Sequence, residues 1–389
     1  MLRIRNLFCL LLLFAVSSTA QPVQNGYRMF SRAEGLPAIG LNKIYETSDH
    51  FLWLSTQSGL FRFDGYKFIA YYSQSRDSTT ISSNAVTDMQ EDRSGNLWVG
   101  TFGKGVCRLD RKTGKWKRYI HPTSDKNEFY WIYDLFLDVR GRLWMGTNGR
   151  GLLLYDEKTD SFRQFIPSPK KNRIGSVRFE NEVRSITADL NDKDILWLAG
   201  TDGLYRFDTR TGKFQHFENK KNGVAEWLNN SFHFVCQQSE KDIWLGTWGG
   251  GLVHFNPLTG MFTTHPHNPT AYQKKNLAAN VISNILITES NSLYVSTLDE
   301  GLFKYFPSEN RYEKRLPDPT KKESSQHFTG ITKTSDGSIW FCANDVLYQK
   351  HPLHERLGKF QTFFQPEGKF VYPATLSSVI YLPSVKQYW

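Results

Sequence analysis

An aromatic residue returns along this chain at a nearly constant step, always inside the same short phrase. Trp53, Trp98, Trp144, Trp197, Trp244, Tyr294, Trp340 and Trp389 are separated by 45, 46, 53, 47, 50, 46 and 49 residues. The phrase is clearest in Leu97-Trp98-Val99-Gly100-Thr101, Leu143-Trp144-Met145-Gly146-Thr147 and Ile243-Trp244-Leu245-Gly246-Thr247. Looser copies are Leu52-Trp53-Leu54-Ser55-Thr56, Leu196-Trp197-Leu198-Ala199-Gly200-Thr201 and Leu293-Tyr294-Val295-Ser296-Thr297. A period of this size marks a repeat architecture and decides the fold class before any single residue does.

Each copy expands into four strands. An alternating run such as Val86 to Asp92 precedes the phrase, and a turn such as Arg93-Ser94-Gly95-Asn96 separates them. A third strand follows, as in Gly203 to Asp208. Asp-x-x-Thr-Gly, seen at Asp110 to Gly114 and Asp208 to Gly212, then turns the chain into a fourth strand with aromatics two or three apart. Period-2 alternation, β-branched and aromatic residues and glycine turns all agree on strands. Four strands per repeat is a propeller blade. The expected fold is therefore all-β, a seven-bladed β-propeller of four-stranded blades. The repeated aromatics Trp53, Trp98, Trp144, Trp197, Trp244, Tyr294 and Trp340 are read first as packing between blades.

A ring needs its ends joined. Tyr27-Arg28-Met29-Phe30 reads as an outer strand with no blade of its own, so it is expected to complete blade 7, whose third strand is read at Asp345 to Gln349. The propeller is thus assigned to residues 21–358. The segment 359–389 repeats the order of the N-terminus and ends on Trp389, so it is expected to begin a second, truncated propeller.

Residues 1–20 read as a secretory signal: Arg3 and Arg5, the apolar run Leu7 to Val16, then Ser18-Thr19-Ala20, with Gln21 starting the mature chain. The run is too short for a comfortable membrane span. Cleavage lowers the formal charge from +10 to +8. Lys and Arg are spread along the chain without a basic helix or finger motif, so nucleic acid is not an expected partner. Cys107, Cys236 and Cys342 then remain, an odd number without paired spacing, read as buried free thiols on strands.

The phrase Phe30-Ser31-Arg32-Ala33-Glu34-Gly35-Leu36-Pro37, the Leu-Trp-x-Gly-Thr copies and Gly59-Leu60-Phe61-Arg62-Phe63-Asp64-Gly65 together resemble the two-component regulator propeller family. The resemblance covers nearly the whole mature chain. It implies the periplasmic sensor region of a hybrid two-component system histidine kinase from Bacteroidetes. Such parents resemble two successive propellers, a β-sandwich, one membrane helix and a cytoplasmic kinase. It also implies an oligosaccharide ligand, with kinase output and an inner-membrane anchor in sequence this chain does not carry. The other partners expected are the remainder of the same sensor chain and, as an open alternative, a second copy in a homodimer.

No catalytic set, cofactor site or metal spacing stands out. His265-Pro266-His267 reads as a surface loop pair, and Gly246 to Gly251 joins strands rather than opening a helix. The turns between second and third strands share one face with the inter-blade connections, where binding residues gather. From these, Phe102, Lys104, Tyr130, Trp131, Arg150, Trp227 and Trp248 are the expected ligand-binding residues. Their aromatics suit sugar CH faces and their cations suit an acidic glycan. Two other readings stand beside the sensor. One is an exported propeller lyase or glycosidase, which would show clustered carboxylates or a metal in the channel. The other is a non-binding scaffold or dimerisation propeller.

Overall fold

A computed structural model describes residues 23–352 apart from 25–26, 32–34, 37–39, 120–130, 168–180, 222–223, 226–229, 269–279, 299, 317–327 and 344–345, together with 381–382 and 387–388. Six four-stranded antiparallel sheets follow one another, each laid down in chain order, and a seventh sheet joins the two ends. In blade 2 the innermost strand is Val86–Glu91, followed outward by Leu97–Thr101, Val106–Asp110 and Lys115–Tyr119. Inner strands of successive blades pack side by side. Leu41–Glu46 lies against Val86–Glu91 at one end, and Phe328–Lys333 returns against Leu41–Glu46 at the other. The result is the seven-bladed propeller read from the repeat.

The phrase makes sense residue by residue. Each tryptophan reaches out of its own blade into the core of the next. Trp53 packs with Val86, Met89 and Val99 of blade 2, Trp98 with Ile132 and Met145 of blade 3, and Trp340 with Leu41 and Leu54 of blade 1. Burying an indole leaves an N–H to satisfy. The preceding turn does so: Trp98 Nε1 donates to Asp92 Oδ2 at 2.8 Å, Trp144 to Asp138 Oδ2 at 2.9 Å and Trp197 to Asp189 Oδ2 at 2.8 Å. The threonine closes the following turn. Thr101 Oγ1 donates to Gly105 O at 2.8 Å, and Thr247 Oγ1 to Gly251 O at 2.7 Å.

The glycine is there for space. A Cβ on Gly146 would lie 2.4 Å from Val183 O, on the chain entering the inner strand of blade 4. That neighbour is backbone and cannot rotate away. Gly146→Ala is therefore expected to force blades 3 and 4 apart and cost about 1–3 kcal/mol. The measurement is a urea titration, which should show a lower midpoint with an unchanged slope. An unchanged midpoint would mean that the junction yields freely.

Ring closure follows the expected plan. Tyr27–Phe30 pairs antiparallel with Val346–Lys350, placing Arg28 opposite Gln349, Met29 opposite Tyr348 and Phe30 opposite Leu347. The third strand of blade 7 is described over Val346–Lys350, one residue further at its end than read, and Asp345 lies outside the described residues. Val23–Gln24 adds a short fifth strand. Phe30 is buried in the junction of blades 7 and 1, its ring 5.6 Å from that of Trp340 and 5.2 Å from that of Phe63.

Two readings need correction. Cys107, Cys236 and Cys342 are free, but only Cys107 and Cys342 are buried. Cys236 is half-buried, its thiol pushed up to about 12 by desolvation. His267 is not a surface residue: its side chain is wholly buried against Phe303 and Tyr312. His265 ends the outer strand of blade 5 and is half-buried beside Trp244 and Tyr305. In both cases the outer hairpin of blade 6 covers the loop.

The signal segment 1–20 lies outside the described residues. Of 359–389 only the hairpin Tyr381–Leu382 with Gln387–Tyr388 is described, and it does not establish a second propeller. No helix among the described residues is long and apolar enough to cross a membrane.

Candidate functional site

Each inner strand begins on the face where the turn between second and third strands closes. Phe102 N donates to Ala85 O at 2.9 Å, Asn148 N to Trp131 O at 3.1 Å and Trp248 N to Ser231 O at 3.0 Å. These bonds tie the turns to the residues entering the inner strands. Both therefore surround one mouth of the central channel.

At this mouth the inner strand carries a one-residue irregularity in blades 1, 2, 3, 5, 6 and 7. Such a bulge re-aims a side chain. In four blades the re-aimed residue is small and polar and latches the next blade. Asn42 Nδ2 donates to Val86 O at 2.7 Å and Thr87 Oγ1 to Ile132 O at 2.6 Å. Ser283 Oγ likewise donates to Phe328 O, and Thr329 Oγ1 to Leu41 O. Blades 3 and 5 carry Tyr133 and His233 instead. In blade 4 the corresponding place, one residue before the Ser185–Ala199 pair, holds Arg184. Three consecutive blades thus carry a large side chain where the others carry a small latch.

These side chains meet one another and their neighbours on the turns. The Arg184 guanidinium lies 4.5 Å over the Tyr133 ring and forms an ion pair with Glu182 at 2.8 Å. The Tyr133 hydroxyl lies near the same carboxylate. Burial pushes the Tyr133 hydroxyl above its ordinary range, Arg184 opposes this, and Glu182 reinforces it. Burial likewise raises the Glu182 carboxyl, against Arg184 and Tyr133. Trp131 stands edge-on to Phe102 at 5.3 Å and to Tyr133 at 6.2 Å. His233 stacks on Trp248 at 4.8 Å, and Trp248 remains 38% exposed. Burial, then the nearby Arg184 cation, hold the His233 imidazole well below its ordinary pKa. It is therefore neutral at pH 7, with one ring nitrogen a donor and the other an acceptor. Asp202 completes the blade 4 side, accepting the Tyr205 hydroxyl at 2.7 Å.

One residue further along the inner strands lies a second ring, facing the channel. Lys43 Nζ donates to Asp88 Oδ2 at 2.7 Å and Asp134 Oδ1 at 2.9 Å. Each carboxylate also accepts an amide from the next blade: Asp88 Oδ2 from Leu135 N at 2.8 Å, and Asp134 Oδ2 from Ile186 N at 2.7 Å. Desolvation pushes Lys43 down, but the two carboxylates outweigh it and hold the ammonium above its ordinary range. Desolvation raises Asp88, Asp134 adds to this, and Lys43 only partly offsets it. The carboxylates are clustered in the channel, but their oxygens are committed to holding blades together.

Of the residues expected from sequence, Phe102 and Trp131 are brought into ring contact. Trp248 lies on the same mouth, with His233 behind it. Lys104 is exposed two residues beyond Phe102. Arg150 is half-buried on the blade 3 turn, where its carbonyl accepts the Gln164 amide at 2.9 Å. Tyr130 and Trp227 lie outside the described residues, as do the connections 120–130, 168–180, 226–229 and 269–279. Tyr133, Arg184 and His233 were not among the expected residues. The signal available was their departure from the Asn42, Thr87, Ser283 and Thr329 pattern at one repeat position.

The model of the two component regulator propeller family matches residues 80–103, the inner two strands of blade 2 and the approach to them. The resemblance read from the repeat phrases is borne out there. No curated protein matches the chain. Among solved structures, the extracellular domain of a hybrid two component system from B. thetaiotaomicron superposes with a TM-score of 0.65 at 21% identity, covering 83% of this chain and 41% of that one. The chain thus spans about two fifths of that domain. The streptogramin B lyase structure superposes with a TM-score of 0.59 at 16% identity, covering 83% of this chain and 97% of that one. At these identities the likeness is one of fold.

Proposed function

We propose that this propeller is the ligand-reading part of an exported two-component sensor. It takes an oligosaccharide at the channel mouth framed by Phe102, Trp131, Tyr133, Arg184, His233 and Trp248, and does no chemistry on it. The observation that carries this reading is the break in the repeat. On one mouth, across blades 3 to 5, latching residues give way to half-buried aromatic and polar groups. Half-exposed aromatic faces beside fixed donors and acceptors suit a ring that is apolar on its CH face and hydroxylated at its rim. Lys104 and Arg150 nearby, and the positive net charge, favour a glycan carrying acid groups.

In this reading residues 1–20 are removed on export, 21–358 form the propeller in the periplasm and 359–389 open a second one. The remainder of the sensor chain, anchored in the inner membrane, supplies the kinase. The family match at residues 80–103 supports that assignment.

One observation favours a second reading. Clustered carboxylates in the channel are what an exported lyase or glycosidase would show, and Asp88 and Asp134 are clustered. Their bonds to Lys43, Leu135 and Ile186 favour the binding reading instead. Thermal unfolding against neutral and acidic oligosaccharides separates the two. A ligand at about 100 times its Kd should stabilise the protein by about 2.7 kcal/mol. Trp248→Ala and Trp131→Ala should each weaken binding at least about tenfold, or ~1.4 kcal/mol, with the unliganded melt little changed. Product released by the purified protein would support the enzyme. A folded protein that no glycan stabilises would leave only a scaffold.

A further inference from the structure

Six of the seven junctions between neighbouring blades carry at least one side-chain latch at the channel rim. Asn42 joins blades 1 and 2, Thr87 and Asp88 join 2 and 3, and Asp134 joins 3 and 4. Ser185 Oγ accepts Val235 N at 3.3 Å between blades 4 and 5, Ser283 joins 6 and 7, and Thr329 joins 7 and 1. Between blades 5 and 6 both rim positions of the donating strand are unsuited. His233 is turned onto Trp248, and Phe234, which pairs with Gly246, has no polar group. On the facing strand, Ile285 N donates to Asn284 Oδ1 of its own blade at 2.8 Å, where Leu135 and Ile186 reach across. Among the described residues, no side-chain hydrogen bond joins the inner strands Phe232–Gln237 and Ile282–Ile287, although beyond their far ends Gln238 Nε2 donates to Asn291 O at 3.3 Å.

The outer rim of the same junction is well tied. Tyr312 OH donates to His265 O at 2.7 Å, and His265 Nδ1 lies 2.9 Å from Asn310 Oδ1 and 3.0 Å from Tyr305 OH. Between the two rims the core of Trp244, Ile282, Ile285 and Tyr305 is continuous. At the mouth, a backbone bridge joins Trp248 to Val281, Gly251 N donates to Asn280 O at 2.9 Å, and Asn268 Nδ2 donates to Glu300 Oε1 at 2.7 Å.

We propose that the junction of blades 5 and 6 is the opening seam of the ring, hinged at its outer rim on His265 and without a side-chain latch between its inner strands. Latches resist separation of inner strands, and local opening follows the least-tied element. Trp248 carries the bridge across the seam and also presents the exposed face of the candidate site. Whatever stacks on Trp248 therefore bears directly on opening. That last step rests on the ligand-reading proposal; the seam itself does not.

Amide hydrogen exchange of the full unliganded chain tests it. The Ile285 amide and its neighbours in Ile282–Ile287 should exchange at least about tenfold faster than Leu135 and its neighbours in Ile132–Leu137. His233→Thr places a hydroxyl where Thr87 has one, within reach of Ile282 O, and should close most of that gap. Thr87→Val, which keeps the shape and removes the donor, should speed exchange in Ile132–Leu137. It keeps the test open if His233→Thr does not fold. Equal exchange in the two strands, or exchange that neither variant moves, would overturn the seam. Because no ligand is added, such a failure stays separate from failure of the binding proposal.

Discussion

Phe30→Ala is expected to destabilise the propeller by about 3–5 kcal/mol, as much as truncating one of its core tryptophans. The residue sits in a four-residue strand at the start of the chain, where a truncation would ordinarily be harmless. Here that strand is the outer strand of blade 7. Its ring lies between Trp340 of blade 7 and Phe63 of blade 1. Phe30 also packs with Leu41, Ile44, Leu54 and Leu347, so the cavity left by alanine opens beside the strand pairing inside blade 7 that no covalent turn supports. The other six blades are each laid down by one continuous stretch of chain. For a domain of this size the loss lowers Tm by about 4–7 °C. Calorimetry of the variant beside Trp98→Ala checks this. A Phe30→Ala shift below a quarter of the Trp98→Ala shift would mean that the ring closes without its N-terminal strand.

The repeat made the fold legible because each residue of Leu-Trp-x-Gly-Thr solves a local problem that recurs in blade after blade. An indole fills the wedge and needs an acceptor, a glycine lets a neighbouring strand approach, and a threonine closes a turn. The orphan strand at Tyr27–Phe30 was legible for the same reason, since a ring cannot leave it unpaired. The candidate site was only partly legible. Phe102, Trp131 and Trp248 could be found by loop placement. Tyr133 and His233 sit inside strands, where alternation reads them as ordinary inner-strand residues, and Arg184 stands just before one. Only the bulge, which shifts pairing by one residue, turns Tyr133 and His233 to the mouth. A bulge of this kind leaves no glycine or proline to mark it: Tyr133 stands between Ile132 and Asp134, and His233 between two phenylalanines. His267 was misread because burial of a loop depends on the next blade's hairpin, which local sequence does not report.

Lys43→Met should be the most damaging change among the channel residues, and its cost should depend on pH. The Lys43 side chain keeps 32% of its exposure, so the loss is at the lower end for a broken buried pair, about 3 kcal/mol near pH 8. What remains is Asp88 facing Asp134 without a counter-charge, with each still required as an amide acceptor by the next blade. In the native protein the Asp88 carboxyl is already held above its ordinary pKa by burial and by Asp134, with Lys43 as the opposing influence. Removing Lys43 raises it further. The folded variant then keeps a proton through a range in which the unfolded chain, with an ordinary aspartate, has lost it. More protons bound folded than unfolded means that stability falls as pH rises, from about pH 4 upward. The deficit relative to the native protein should therefore be small near pH 4.5 and grow toward pH 8. Lys43→Met with Asp88→Asn should recover part of it, since asparagine is neutral and keeps one oxygen for the two amides, Met89 N and Leu135 N, that Asp88 accepts. Urea unfolding at the two pH values reads both effects. A deficit independent of pH, or one that Asp88→Asn deepens at pH 8, would show that Lys43 acts by packing in the channel and not by balancing the carboxylates.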